Sequence, residues 1–214
     1  MAGLPRIAPY PLPTDAELPR ARAGWQIETH RAALLIHDMQ HYFLRRFPEQ
    51  ESPLAPVIAN IARLAEHARA VGIPVFYTAQ RGNQDRRDRG LQADLWGPGM
   101  TASPEDQDII PGLTPEPGDF VLVKHRYSAF QRSNLADLMR ARQRDQLIIT
   151  GVYAHIGCML TAGEAFQLDI QPFLAADALA DFSRQDHDLA LDWVAGSCGV
   201  PLTTRTLIAA LSAS

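Results

Sequence analysis

Ala32-Ala33-Leu34-Leu35-Ile36-His37-Asp38-Met39-Gln40-His41-Tyr42-Phe43 is the stretch on which the fold turns. Its first five residues are apolar without alternation. A strand with one wet face would alternate. An unbroken run of this length reads as a strand covered on both faces, as at the centre of a parallel sheet. The run ends in a carboxylate, Asp38, followed by an aromatic-rich turn with Tyr42 and Phe43. In open α/β sheets, ligands bind outside the carboxyl ends of the strands. Asp38 therefore has two readings, a cap on the next turn or a group facing a ligand.

Outward from this run the chain alternates strand and helix. Residues 53–71 form a helix with Val57, Ile58, Ile61, Leu64, Ala65 and Ala68 on one face, and Gly72 ends it. Residues 73–78 read as a second strand, with Pro74 at its start where a missing N–H matters least. A long connection over 79–118 holds an Arg-rich segment and Trp96-Gly97-Pro98-Gly99; connections of that length are usually functional. Further strands fall at 120–124, 146–151, 171–176 and 200–202. Helices fall at 133–142, 157–169, 184–196 and from 203 onward. The alternation predicts an α/β fold: a doubly wound, six-stranded parallel sheet with helices on both faces, a Rossmann-like three-layer arrangement. Residues 1–214 read as a single domain. Residues 1–30 form a Pro-rich N-terminal arm (Pro5, Pro9, Pro11, Pro13, Pro19) that wraps either the domain or a partner subunit.

Composition narrows the function. The chain has 214 residues, 46% hydrophobic and 21% charged, with a net charge of −4, which suits a globular enzyme-sized domain. Arg81 to Arg89 is interleaved with Asp85 and Asp88 and is no phosphate-tracking stripe, so no nucleic-acid partner is expected. No apolar run approaches a bilayer span and no secretory signal core is present, so a cytoplasmic protein without a membrane partner is expected. The two cysteines, Cys158 and Cys198, allow no disulfide framework. The seven histidines show no metal-ligand spacing, and no metal is expected.

Three strand ends carry chemistry: Asp38, Lys124, and the turn Gly151-Val152-Tyr153-Ala154-His155-Ile156-Gly157-Cys158. In a doubly wound sheet these ends converge. A carboxylate, an ammonium and free backbone N–H groups would then share one pocket.

The chain resembles the isochorismatase-like superfamily of hydrolases. The likeness is carried by Leu35-Ile36-His37-Asp38-Met39-Gln40, Tyr77-Thr78-Ala79-Gln80, Trp96-Gly97-Pro98-Gly99-Met100, Arg126-Tyr127-Ser128-Ala129-Phe130, Gly151-Val152-Tyr153-Ala154-His155 and Asp169-Ile170-Gln171-Pro172-Phe173. Most of that superfamily uses an Asp, a Lys and a Cys. Asp38 and Lys124 match, but the cysteine position falls on Gly157. Cys158, one residue along a helix start, points about 100° away. The stretch after the second strand also lacks the metal motif of the related nicotinamidases. The resemblance therefore implies the cysteine-less isochorismatases, most specifically the stand-alone phenazine-pathway type, since no carrier domain follows Ser214.

By this resemblance the substrate is isochorismate or its 2-amino-2-deoxy analogue. The reaction is hydrolysis of a vinyl ether by general acid, with no cofactor, in a homodimer. Asp38 is then the acid, and its pKa must lie above the usual value of about 3.9. Burial against Phe43 and Trp96 raises it and Lys124 lowers it; the sequence leaves the balance open. Gln80 and Arg89 would bind substrate carboxylates, with Phe43, Trp96, Tyr127 and Tyr153 forming the walls and the Gly157 N–H completing the catalytic set. The peptide before Tyr153 is cis in this family. His37 faces away from Asp38 along the strand and reads as a satisfied core histidine. His155 reads as a turn residue that bonds backbone or touches substrate, Cys158 and Cys198 as small buried hydrophobes, and Phe130 as pocket wall or core. Two other functions stay open: an amidase-type hydrolase using Cys158, and a non-catalytic binding subunit.

Overall fold

The computed structural model describes residues 4–48 and 50–213. Among these residues six strands form one sheet: β1 (Ala32–His37), β2 (Val75–Ala79), β3 (Phe120–Val123), β4 (Gln146–Val152), β5 (Gln171–Ala180) and β6 (Val200–Leu202). Their order is β3-β2-β1-β4-β5-β6, with every neighbouring pair parallel. All six residues of β1 are buried, as the unbroken apolar run requires. Ala32, Leu34 and Ile36 point to one face of the sheet, Ala33 and Leu35 to the other.

The helices are α1 (His41–Leu44), α2 (Leu54–Ala70), α3 (Arg86–Arg89), α4 (Gln92–Trp96), α5 (Pro104–Gln107), α6 (Leu135–Ala141), α7 (Met159–Gln167), α8 (Arg184–Ser197) and α9 (Thr204–Ala213). Helices α2 and α9 cover the first face, burying Val57, Ile61, Leu64, Leu207 and Leu211 against it. Helices α6, α7 and α8 cover the second with Leu135, Met139, Ala162, Leu191 and Val194. The long connection contains the short helices α3, α4 and α5.

Two boundaries next to the site differ from the sequence expectation. Strand β5 runs four residues past 176, to Ala180, so its end reaches the site. Helix α7 starts at Met159 rather than at 157; a π-turn over Ala154–Cys158 precedes it, in which the Cys158 N–H donates to the Tyr153 carbonyl. The arm wraps its own domain. Ile7 and Tyr10 are buried, and their N–H groups donate to the Arg46 and Ser52 carbonyls.

The strand order reverses on either side of β1. Strands β2 and β3 lie to one side, β4 to β6 to the other, which puts the switch point between β1 and β4. The crevice beyond it is the expected ligand position.

Candidate active site

Asp38 follows β1 at φ 52°, in the left-handed region that aspartate tolerates better than most residues. Its N–H donates to the Thr78 carbonyl at the end of β2. It does not cap α1, whose N-cap is Gln40 without a side-chain bond. Lys124 follows β3, and its Nζ lies 2.7 Å from Asp38 Oδ2. Both residues are buried, at 4% and 3% exposure. The Thr78 hydroxyl donates to Asp38 Oδ1 at 2.8 Å, and Gln80 Nε2 reaches Oδ2 at 3.4 Å. Gln80 is itself held by Gln40, which accepts from its backbone N–H and donates to its carbonyl, each at 2.8 Å.

Burial raises the Asp38 pKa, but the Lys124 ammonium in contact, His37 nearby and the Thr78 hydroxyl together outweigh burial. The carboxyl is held below the ordinary range, and the unliganded site contains a carboxylate.

Around this pair lies a narrow cleft of about 50 Å³. The nine residues singled out from the sequence, Asp38, Lys124, Gly157, Gln80, Arg89, Tyr153, Phe43, Trp96 and Tyr127, all line it. Arg89 is 6% exposed and donates through Nε to the Gly97 carbonyl. Among the described residues no ion pair includes it, and burial pulls its pKa down. A buried guanidinium without a counter-charge is a receptor for an anion. Gly99 gives it room, since a Cβ there would lie 2.6 Å from the guanidinium carbon.

The aromatic walls are pinned. Trp96 Nε1 donates to the Tyr127 hydroxyl at 2.7 Å, and the Tyr153 hydroxyl donates to the Phe43 carbonyl at 2.8 Å. Phe182 packs on Tyr153 with ring centres 4.4 Å apart. The Val152–Tyr153 peptide is cis.

Sequence reasoning missed part of the lining: Leu4, Gln92, Val152 and Ile156, with Tyr42 noted only as a neighbour of Asp38. Leu4 comes from the arm. It also missed Asp181, just beyond β5. That fully buried carboxylate accepts from the His155 N–H at 2.5 Å and the Phe182 N–H at 2.8 Å, and lies 2.7 Å from His155 Nδ1. His155 is therefore bonded to a carboxylate, not to backbone; burial lowers its pKa, but Asp181 more than offsets this and raises it. The Asp181 N–H donates to the Tyr10 hydroxyl at 2.7 Å, so one residue ties the arm to the turn that carries Tyr153 and Gly157.

Cys158 lies outside the cleft. It is fully buried on the α6–α8 face, its Sγ directed at the Thr150 carbonyl 3.9 Å away, and burial pushes its thiol pKa well up. A thiol of that kind is inert. Phe130 belongs to the same core, and Cys198 is buried too.

The fold and the site together define an α/β enzyme acting on a small molecule, with its reactive groups at the switch point of a parallel sheet. Residues 32–206 match the family model described as the isochorismatase domain. The chain is 49% identical over 208 residues to a probable isochorismatase of Pseudomonas chlororaphis, covering 97% of this chain and 100% of that protein. It is 50% identical over 208 residues to the phenazine biosynthesis protein PhzD1 of Pseudomonas aeruginosa, with the same coverage. A solved cysteine hydrolase from Pseudomonas syringae superposes with a TM-score of 0.80 at 25% identity, covering 91% of this chain and 98% of that one. The chain belongs to the isochorismatase family.

Proposed function

We propose that this chain is an isochorismatase. It hydrolyses the enolpyruvyl ether of isochorismate or of 2-amino-2-deoxyisochorismate to pyruvate and a dihydro-hydroxy-aromatic acid, in phenazine or related secondary-metabolite biosynthesis. The observation that carries this reading is the Asp38–Lys124 pair, buried at the floor of an aromatic cleft.

Asp38 is the general acid. Its proton goes to the terminal vinyl carbon, forming a C–H bond and leaving an oxocarbenium ion at the ether carbon. Water adds to that carbon and returns a proton to Asp38. The hemiketal then collapses to pyruvate and the ring alcohol. Arg89 and Gln80 receive the substrate carboxylates, and Phe43, Trp96, Tyr127 and Tyr153 sandwich the ring and exclude bulk water. Gly157, which lines the same cleft, completes the catalytic set through its N–H. Lys124 positions Asp38 and stabilises the carboxylate left after proton transfer.

The low pKa of Asp38 in the unliganded protein fits this scheme through the substrate's own charge. Two carboxylates entering beside Asp38 disfavour a third, so its pKa rises and the proton is loaded on binding.

The test is pyruvate release from both substrates, with wild type beside Cys158→Ala. Turnover of at least one substrate, retained in the cysteine variant, is expected. The absence of pyruvate from either, or loss of turnover with Cys158, overturns the reading in favour of amide chemistry.

The proposal includes a cytoplasmic homodimer. Among the described residues no helix is long and apolar enough to cross a membrane. Leu91 (79% exposed), Leu95 (59%), Leu160 and Trp193 line one outer surface between α4, α7 and α8, and an apolar face of this kind suits a second copy of the chain. Light scattering should give a mass of two chains, falling to one for Leu91→Asp with Leu95→Asp. A wild-type mass of one chain removes this part of the proposal.

A further inference from the structure

His37 ends β1 and its imidazole is fully buried beneath the π-turn. Its Nδ1 lies 3.1 Å from the Val152 carbonyl, and its Nε2 lies 3.3 Å from the Thr161 hydroxyl of α7. That hydroxyl also donates to the Gly157 carbonyl at 2.6 Å and accepts from the Ala129 N–H at 3.0 Å. The ring is thus wedged between the end of β4, the π-turn and the start of α7; its Nδ1 also lies 3.8 Å from Asp38 Oδ2, so His37 does not face wholly away from Asp38 as the strand alternation predicts.

Gly157 sits directly over this ring. A Cβ built on Gly157 would lie 2.3 Å from His37 Cε1 and 3.1 Å from both ring nitrogens. The backbone of the same residue crowds a second glycine: a Cβ on Gly151 would lie 2.1 Å from the His37 carbonyl oxygen. Gly151 also stands at φ 102°, where other residues are strained. The end of β1 therefore presses on β4 and on the π-turn at two points: Gly151 is required by backbone, and Gly157 by the His37 ring.

Position 157 is chemically privileged. It lines the cleft with Asp38 and Lys124, just ahead of α7. A thiol at such a place, beside an ammonium and close to a helix start, would be activated. The neighbouring Cys158 cannot serve, being buried on the far side.

We propose that His37 is a specificity-determining residue. Its imidazole fills the volume that any side chain at 157 would need, and so keeps the cleft floor bare of a nucleophile and commits the site to proton transfer and water. This inference rests on the proposed vinyl-ether chemistry for its functional meaning, while the steric coupling stands on geometry alone.

The two levels separate experimentally. Gly157→Ala, His37→Ala and the double variant are compared by thermal midpoint and by pyruvate release. Gly157→Ala alone is expected to lower the midpoint by several degrees and pyruvate release at least tenfold. Added to His37→Ala, the same change should cost less than a quarter of that shift in midpoint. Should His37→Ala not fold, the His37 Cε1–H signal is followed by NMR in Gly157→Ala. In wild type, with burial and Lys124 outweighing the Asp38 carboxylate and holding the ring pKa down at about 4, the signal should not titrate between pH 6 and 8. In the variant, a ring forced off the Val152 carbonyl should give a shifted signal. Equal midpoint costs in both backgrounds, or an unchanged His37 signal, overturn the coupling. A coupling that holds in a protein releasing no pyruvate overturns the functional reading and leaves the steric one standing.

Discussion

Asp38→Asn is expected to lower pyruvate release about 10²–10⁴-fold, the usual contribution of a positioned general acid. The amide keeps the shape of the carboxyl, so binding by Arg89 and Gln80 should persist and the loss should fall on kcat rather than KM. Asp38→Ala should lose as much, since shape without a proton is of no use to carbon protonation. The pH dependence follows from the direction of the Asp38 shift. In the free enzyme Lys124 and Thr78 hold the carboxyl low, so the protonated form is scarce at neutral pH. The kcat/KM profile reports the free enzyme and should fall about tenfold per pH unit through the neutral range. The kcat profile reports the complex, where the substrate carboxylates raise the Asp38 pKa, and should hold level to a higher pH before falling. Coincident profiles would show that binding does not load the proton. Undiminished kcat in Asp38→Asn would remove Asp38 from the chemistry.

The parts of this site that were legible in sequence share one physical origin. An apolar run covered on both faces cannot alternate, so Ala32–Ile36 announced a central strand, and a polar residue at such a strand's end must sit at the sheet edge. That rule found Asp38 and Lys124. It would have found Asp181 as well, had β5 been followed to its end. The run there is interrupted by Asp177, which reads as a strand terminator. In the fold its carboxylate instead accepts from the Thr204 N–H and hydroxyl at the start of α9, and the strand continues to Ala180. The turn over 151–158 is legible in the sequence, but its π geometry is not, because i to i+5 bonding leaves no periodicity in five residues; only the helix start, expected at 157 and found at Met159, is displaced by it. Leu4 was invisible for a different reason. Proline spacing shows that an arm is extended but not where it goes, and its path is set by Tyr10 reaching Asp181, a contact between residues 171 positions apart. The resemblance supplied Gln80 and Arg89, and geometry alone supplied the reason that residue 157 has no side chain.

Lys124→Met is expected to have the largest effect on stability, and to reverse the direction in which stability depends on pH. Methionine fills much the same volume but leaves Asp38 buried without its cation. Breaking a buried pair in this way costs roughly 3–5 kcal/mol near neutral pH. In wild type the Asp38 pKa is depressed in the folded state. Its pairing therefore contributes stability above the unfolded-state pKa, and that contribution is lost as pH falls through the folded-state value. In Lys124→Met, burial acts without the ammonium, so the folded-state pKa lies above the unfolded one. The folded protein then binds a proton more tightly than the unfolded chain, and stability rises as pH is lowered from neutral toward the unfolded-state pKa. Urea midpoints measured from pH 8 to pH 5 should accordingly climb in the variant over a range where they are flat or falling in wild type. Activity should respond differently. Asp38 would be more often protonated but a weaker acid, with no cation to stabilise the carboxylate formed at the transition state. A fall in kcat of about 10²-fold or more should remain at every pH, below the pKa of Asp38 as well as above it. If kcat recovered fully at low pH, Lys124 would act only by setting how often Asp38 carries its proton. Loss at all pH values would mean that it acts on the transition state itself.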